Sequence, residues 1–304
     1  MAHLIAAHRT AVVPRGGAFA RLSIEDLAAP VIGACLATAG LSAAAIDELI
    51  VSNALGAGGN PARRAALAAG LPERVAGLSI DRQCAGGLDA ILLAAALVDS
   101  GAAEVVLAGG AESYSRRPMR LATDPEGGPP VVYDEAPFTP WPDRNPGMAE
   151  AADALALRLN ILRIEQEAWA VGSHAKALAA DPGAEIVPLA GQARDAFTRR
   201  LTPALAARAP VVVGSITAAT AAVAADAAAF VLVVSDQMAA RFARSQRIVA
   251  GATLGADPME PGLAPLAAID EAIARIKDGT IAHYEYDSAQ ARLTKRGGYL
   301  EKNR

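Results

Sequence analysis

Short apolar runs of strand type and longer amphipathic stretches take turns through the first third of the chain, and that alternation leaves few folds open. Ala11–Val13 follows a short apolar start, and Ile24–Ala39 reads as an amphipathic helix with Ser23 as N-cap and Gly40 as its stop. Ile46–Val51 is an apolar strand run, and Asn60–Ala69 a helix with Pro61 where a first-turn proline is tolerated. Leu78–Ile80 follows as a strand, Gly87–Val98 as a strongly apolar helix, and Glu104–Ala108 as a buried strand closing on Gly109–Gly110. Strands alternating with helices predict parallel pairing and a layered α/β fold.

The middle of the chain breaks this rhythm. Arg116–Pro146 turns to Pro, Gly, Asp and Arg and reads as a loop-rich excursion, followed by predicted helices at Met148–Asn160 and Arg163–Ala180. Strand patterns return at Ala227–Val234 and Arg247–Ala252, then a helix at Leu266–Ile276 and a strand at Ile281–Tyr286. The expected organisation is an N-terminal α/β half over 1–115, an inserted loop and cap domain over 116–209, and a short C-terminal α/β half over 210–304.

Composition narrows the function classes. The 304 residues, 53% of them hydrophobic with a net charge of only -4, supply a real core and exclude disorder. The mildly acidic balance argues against nucleic acid as a partner. Aromatic residues make up 4%, so the core must be packed from Ala, Val, Leu and Ile. Two cysteines exclude a disulfide scaffold and a cysteine-based zinc site; no metal-ligand cluster, phosphate-binding loop or dinucleotide fingerprint is found, so no metal is expected. The N-terminus has no export signal, and the most apolar region, Ala218–Ser235, carries Asp226 in its middle. A cytoplasmic protein without membrane contact is expected.

The chemistry concentrates at Cys84, in Leu78-Ser-Ile-Asp-Arg-Gln-Cys84-Ala-Gly-Gly-Leu-Asp-Ala90. The cysteine lies on a strand-to-helix turn, where the unpaired N–H groups of a helix start favour a thiolate. Gly86 and Gly87 would let a substrate approach the backbone and offer N–H donors to a developing oxyanion. The bland alternative is a small core cysteine, which is also the reading for Cys35 in mid-helix.

The run from Ser79 to Ser115 resembles the thiolase family, acyl-CoA acyltransferases with a nucleophilic cysteine in a Cys-x-Ser-Gly-Leu-x-Ala setting. Cys84-Ala-Gly-Gly-Leu-Asp-Ala90 fits that setting with Gly86 in place of the serine, and Gly109-Gly-Ala-Glu-Ser113 fits the family's Gly-Gly-x-Glu-Ser motif. His8-Arg-Thr10, Asn60-Pro-Ala-Arg63, Met148-Ala-Glu150, Ile164–His174 and Asp257–Pro265 match other family stretches in order. The resemblance implies a thiolase-like layered α/β fold with an inserted loop or cap domain and an incomplete C-terminal half.

It also implies acyl transfer from an acyl-CoA through a thioester on Cys84, with coenzyme A thioester as substrate, no tightly bound cofactor, and a homo-oligomer or partner subunit. His174 and Met148 match cap positions near the coenzyme, and Asp287, in Tyr284–Ala289, stands where the family has an Asn that holds an oxyanion-hole water. Arg116, Arg117, Arg120 and Arg144 of the cap could meet coenzyme phosphates or simply be solvated. Departures fall on the chemistry. No Gly-His-Pro motif occurs, the second cysteine that the family carries in a Cys-x-Gly-Gly motif near its C-terminus has no counterpart, and the family's Gly- and Ser-rich coenzyme loop corresponds to the alanine-rich Thr220–Ala229. His283 would lie about 13 Å from Asp287 along a strand face at ~3.3 Å per residue, too far to serve as base. Two readings stand: an acyltransferase whose full condensation or thiolysis is in doubt, or a non-catalytic thiolase-like subunit that needs or scaffolds a partner.

Overall fold

The computed structural model describes residues 1–56 and 58–276, together with the backbone of the paired strands Tyr284–Asp287 and Arg292–Lys295. Its centre is a seven-stranded mixed sheet. The first strands are β1 (Ala2–Arg9), β2 (Val13–Pro14), β3 (Glu48–Ser52), β4 (Leu78–Ile80) and β5 (Val105–Ser113). A long strand, Ala225–Ser235, lies between β1 and β5 and is antiparallel to both, while β3 is parallel to β5 and β4. Parallel pairing thus holds where helices separate the strands, at β3, β4 and β5. The helices are α1 (Ile24–Ala39), α2 (Pro61–Ala68) and α3 (Gly86–Asp99).

Side chains alternate across the sheet, so each strand feeds two cores. Leu49, Val51, Leu107, Phe230 and Leu232 pack on one side with Leu27, Val31 and Ile32 of α1 and Ala62 and Ala65 of α2. Ile50, Val106, Ala108 and Val233 pack on the other with Ala90, Ala94 and Val98 of α3. The small faces of α2 and α3 answer the shortage of aromatic residues. Asp226 is fully buried and accepts hydrogen bonds from the Ser115 N–H (2.8 Å) and hydroxyl (2.5 Å), fastening the segment that leaves β5.

The chain folds into two compact units. The first, Met1–Ala136 with Gly172–Arg200 and Ala222–Ile248, contains the sheet. The second, Pro137–Val171 with Leu201–Ala221 and Val249–Arg304, contains the helices Met148–Arg158, Pro203–Ala207 and Ala264–Ala274. In that unit the Asp153 carboxylate accepts from the Ser215 N–H and hydroxyl, both at 2.7 Å, and braces the hairpin of Val211–Val213 and Ile216–Thr217.

Several expectations need correction. The first strand is Ala2–Arg9 rather than Ala11–Val13, because this stretch has strand partners on both sides. β5 does not close at Gly109–Gly110 but runs to Ser113. A Cβ on Gly109 would overlap the Ala229 carbonyl oxygen and stand 2.8 Å from Phe230 Cα, so glycine here admits the neighbouring strand. Of Arg247–Ala252 only Arg247 lies in a strand, the two-residue Gln246–Arg247 that pairs with His3 and Leu4, and after the Ile248 N–H donates to the Ala2 carbonyl the ladder ends. The loop-rich excursion contains a small hairpin, Arg120–Ala122 with Val131–Tyr133. The strand expected at Ile281–Tyr286 is seen at Tyr284–Asp287, residues 281–283 lying outside those described.

Candidate active site

The parallel trio β4-β3-β5 brings Ile80, Ser52 and Gly110 level with one another, at the carboxyl ends of β4 and β3. That edge is where open α/β sheets bind ligands. The chain leaving β4 turns through Asp81, Arg82 and Gln83 and enters α3 at Gly86, with exposed Cys84 in the single 3-10 turn Gln83–Ala85. Gln83 has φ +47, a left-handed conformation seldom adopted by a residue with a Cβ. The Asp81 carboxylate holds it, accepting from the Gln83 N–H at 2.7 Å. Arg82 and Asp89 pair at 2.5 Å, bracing the turn from either side of the cysteine.

Gly86 is buried, and its N–H donates to the Gln83 carbonyl. That donor is therefore engaged within the turn. A Cβ at Gly86 would overlap Ser52 Oγ, which occupies the space that a serine in the family motif would need. Gly87 has open space where a Cβ would stand. Cys35, by contrast, is buried on α1, its thiol donates to the Phe230 carbonyl at 3.3 Å, and burial pushes its pKa up to about 12.

Glu112, near the end of β5, belongs to the same edge. Its carboxylate accepts from the Asn53 side-chain amide at 2.8 Å, from the Leu55 N–H at 3.3 Å and from the Ala54 N–H. Arg120 donates to the Ala54 and Leu55 carbonyls at 3.1 and 2.8 Å, so the loop after β3 is held from both sides. Burial raises the Glu112 pKa to about 7; the two backbone N–H groups and the charge of Arg120 oppose that rise, and the charge of Asp81 adds to it.

The remaining candidate residues divide between the two units. In the first unit, Arg116 donates to the Arg21 carbonyl at 2.9 Å. Arg117 pairs with Asp134 and stacks 4.2 Å from the Tyr114 ring centroid. His174 lies beside Phe197, ring centroids 5.8 Å apart, and partial burial followed by the charge of Arg199 lowers its pKa. In the second unit, Arg144 pairs with Asp257 at 3.1 Å and lies over Trp141, while Met148 is exposed at the start of its helix. Asp287 ends the strand Tyr284–Asp287, its side chain and His283 lying outside the described residues. Among the described residues no His/Cys/Asp/Glu group could hold a metal, and no helix is long and apolar enough to cross a membrane.

Sequence reasoning placed Cys84, Gly86 and Gly87 on one turn and overlooked what steadies it. Asp81, two residues before Gln83, carried an Asx-turn signal. Ser52 carried none, since only strand register brings it to Gly86.

Comparison with known proteins agrees with this architecture. The model of the thiolase N-terminal domain matches residues 2–237. An acetyl-CoA acetyltransferase of Cupriavidus necator is 34% identical over 303 aligned positions, covering 90% of this chain and 76% of the relative. A Bacillus subtilis protein with a provisional acetyl-CoA C-acetyltransferase assignment is 36% identical over 278 positions, 88% of this chain and 72% of its own length. The crystal structure of the Bacillus anthracis acetyl-CoA acetyltransferase superposes with a TM-score of 0.80 at 31% identity, over 90% of this chain and 76% of that one. On the sheet, the cysteine turn and these matches together, the chain belongs to the thiolase family.

Proposed function

We propose that this chain transfers an acyl group from an acyl-CoA through a thioester on Cys84. The observation that carries the reading is the exposed Cys84 on a braced turn, at the sheet edge and directly ahead of α3. Cys84 Sγ attacks the thioester carbonyl, and the sulfur of coenzyme A departs with the bonding pair. The proton given up by the cysteine returns to that sulfur, so acyl-CoA and thiol become acyl-enzyme and free coenzyme A. Backbone N–H groups at the start of α3 stabilise the tetrahedral oxyanion, with Gly87 the better placed glycine because the Gly86 N–H is engaged. Coenzyme A thioester is substrate here, and no tightly held cofactor is required.

Claisen condensation needs a base for an α-carbon proton; no Gly-His-Pro occurs in the 304 residues, and their one Cys-x-Gly-Gly run is the nucleophile turn Cys84-Ala-Gly-Gly87 itself. General acid–base help is worth about 10²–10⁴-fold. A second reading, a non-catalytic subunit, is supported by Arg117 and Arg144, whose charges are met by Asp134 and Asp257 rather than left for phosphates. Quantifying coenzyme A by chromatography after stoichiometric mixing with acetyl-CoA separates the two. The acyltransferase releases about one equivalent at mixing and the Cys84→Ala variant none; equal background release from both would reject it.

A further inference from the structure

We infer that Ser52 is a positioning residue for Cys84: its side chain fills the gap between the sheet and the first turn of α3 and so fixes where the cysteine turn stands. Ser52 ends β3, is 6% exposed, and lies level with Gly110 of β5. A Cβ on Gly86 would overlap its Oγ and stand 2.9 Å from its Cβ, and a Cβ on Gly110 would lie 3.1 Å from its carbonyl oxygen and 3.4 Å from its Cβ. Ser52 is thus wedged between two glycines from separate elements.

Backbone conformation does not account for Gly86. Its φ of -60° and ψ of -32° are ordinary helical values open to any residue, so the space taken by Ser52 is what requires glycine. Displacement there reaches the cysteine directly. The Gly86 N–H is bonded to the Gln83 carbonyl, and Gln83 is already in its left-handed conformation one residue before Cys84. Gly86 cannot move outward without moving that turn. The catalytic meaning of this contact rests on Cys84 being the nucleophile; the contact itself does not.

The test is second-site suppression read at the cysteine. The rate of Cys84 alkylation by iodoacetamide against pH is measured for the parent chain, Ser52→Gly, Gly86→Ala and the double variant, with melting temperatures alongside. Cys35 is buried with its pKa pushed to about 12, so peptide mapping reads Cys84 alone. Each single change should shift the rate about twofold or more, the low end of couplings between touching residues. The double variant, in which a methyl group occupies the space vacated by Ser52, should return toward the parent profile. Unchanged alkylation in both single variants, or a double variant no nearer the parent than Gly86→Ala, would overturn the inference even if melting temperatures moved. Should Gly86→Ala fail to fold, a folded double variant with parent-like alkylation supports the inference and an unfolded one rejects it. Acetyl-CoA labelling of the parent is run in parallel. If it gives no acyl-enzyme, the acyl-transfer reading fails while alkylation still decides the role of Ser52.

Discussion

Glu112 is a carboxyl group whose surroundings pull in opposite directions. The N–H groups of Ala54 and Leu55 favour its ionised form, and burial outweighs them, raising the pKa from 4.5 to about 7. Between those values the folded chain keeps a proton that the unfolded chain releases. Stability contributed by this group is therefore present in full below pH 4.5 and falls as pH rises through 7, by at most about 3 kcal/mol. Glu112→Gln keeps an acceptor for the loop and removes the titration. Urea midpoints measured from pH 4.5 to 7.5 should decline less steeply for that variant than for the parent, and identical slopes would contradict the assignment. This motif residue was visible in the sequence, but its environment was not. The partners at Asn53–Leu55 and Arg120 arrive from other segments.

Among the elements, α1 was the most legible because its ends are written in local chemistry. Ser23 and Asp26 form a reciprocal capping box, and Gly40 takes the left-handed conformation that ends the helix, φ +62. Ser23→Ala should lower stability by about 1 kcal/mol in a denaturant titration; no loss would show that the cap is dispensable. β5 was read short for the opposite reason. Two adjacent glycines look like a stop when only neighbours in sequence are weighed, whereas Gly109 admits the long strand and Gly110 lies against Ser52 of β3. Gly109→Ala should cost about 3 kcal/mol, the upper end for overpacking, since the obstruction is the Ala229 carbonyl and not a side chain that can swing away. A change below 1 kcal/mol in the same titration, about the lower end for overpacking, would show that the strands separate freely. The misplaced first strand and the two-residue Gln246–Arg247 strand have the same origin, because pairing partners decide them and propensity does not.

For the molecule as a whole, the cysteine turn and the α/β class were legible from alternation and motif, while the mixed sheet was not. The expectation of self-association now has a specific test surface. The hairpin of Arg120–Ala122 and Val131–Tyr133 is a two-stranded sheet in which Leu121 pairs with Val132, both more than half exposed. Exposed apolar pairs on a strand edge favour association. Val132→Lys should shift sedimentation toward smaller species, and an unaltered profile would remove this hairpin from the interface.

The claim on which the account depends is the acyl-enzyme at Cys84, and intact-mass spectrometry with peptide mapping after brief exposure to a panel of acyl-CoAs tests it most directly. One acyl increment is expected on the peptide containing Cys84 for at least one acyl-CoA, absent from Cys84→Ala. A folded parent chain that gains no acyl mass from any member of the panel, or gains it equally in the variant, would contradict it.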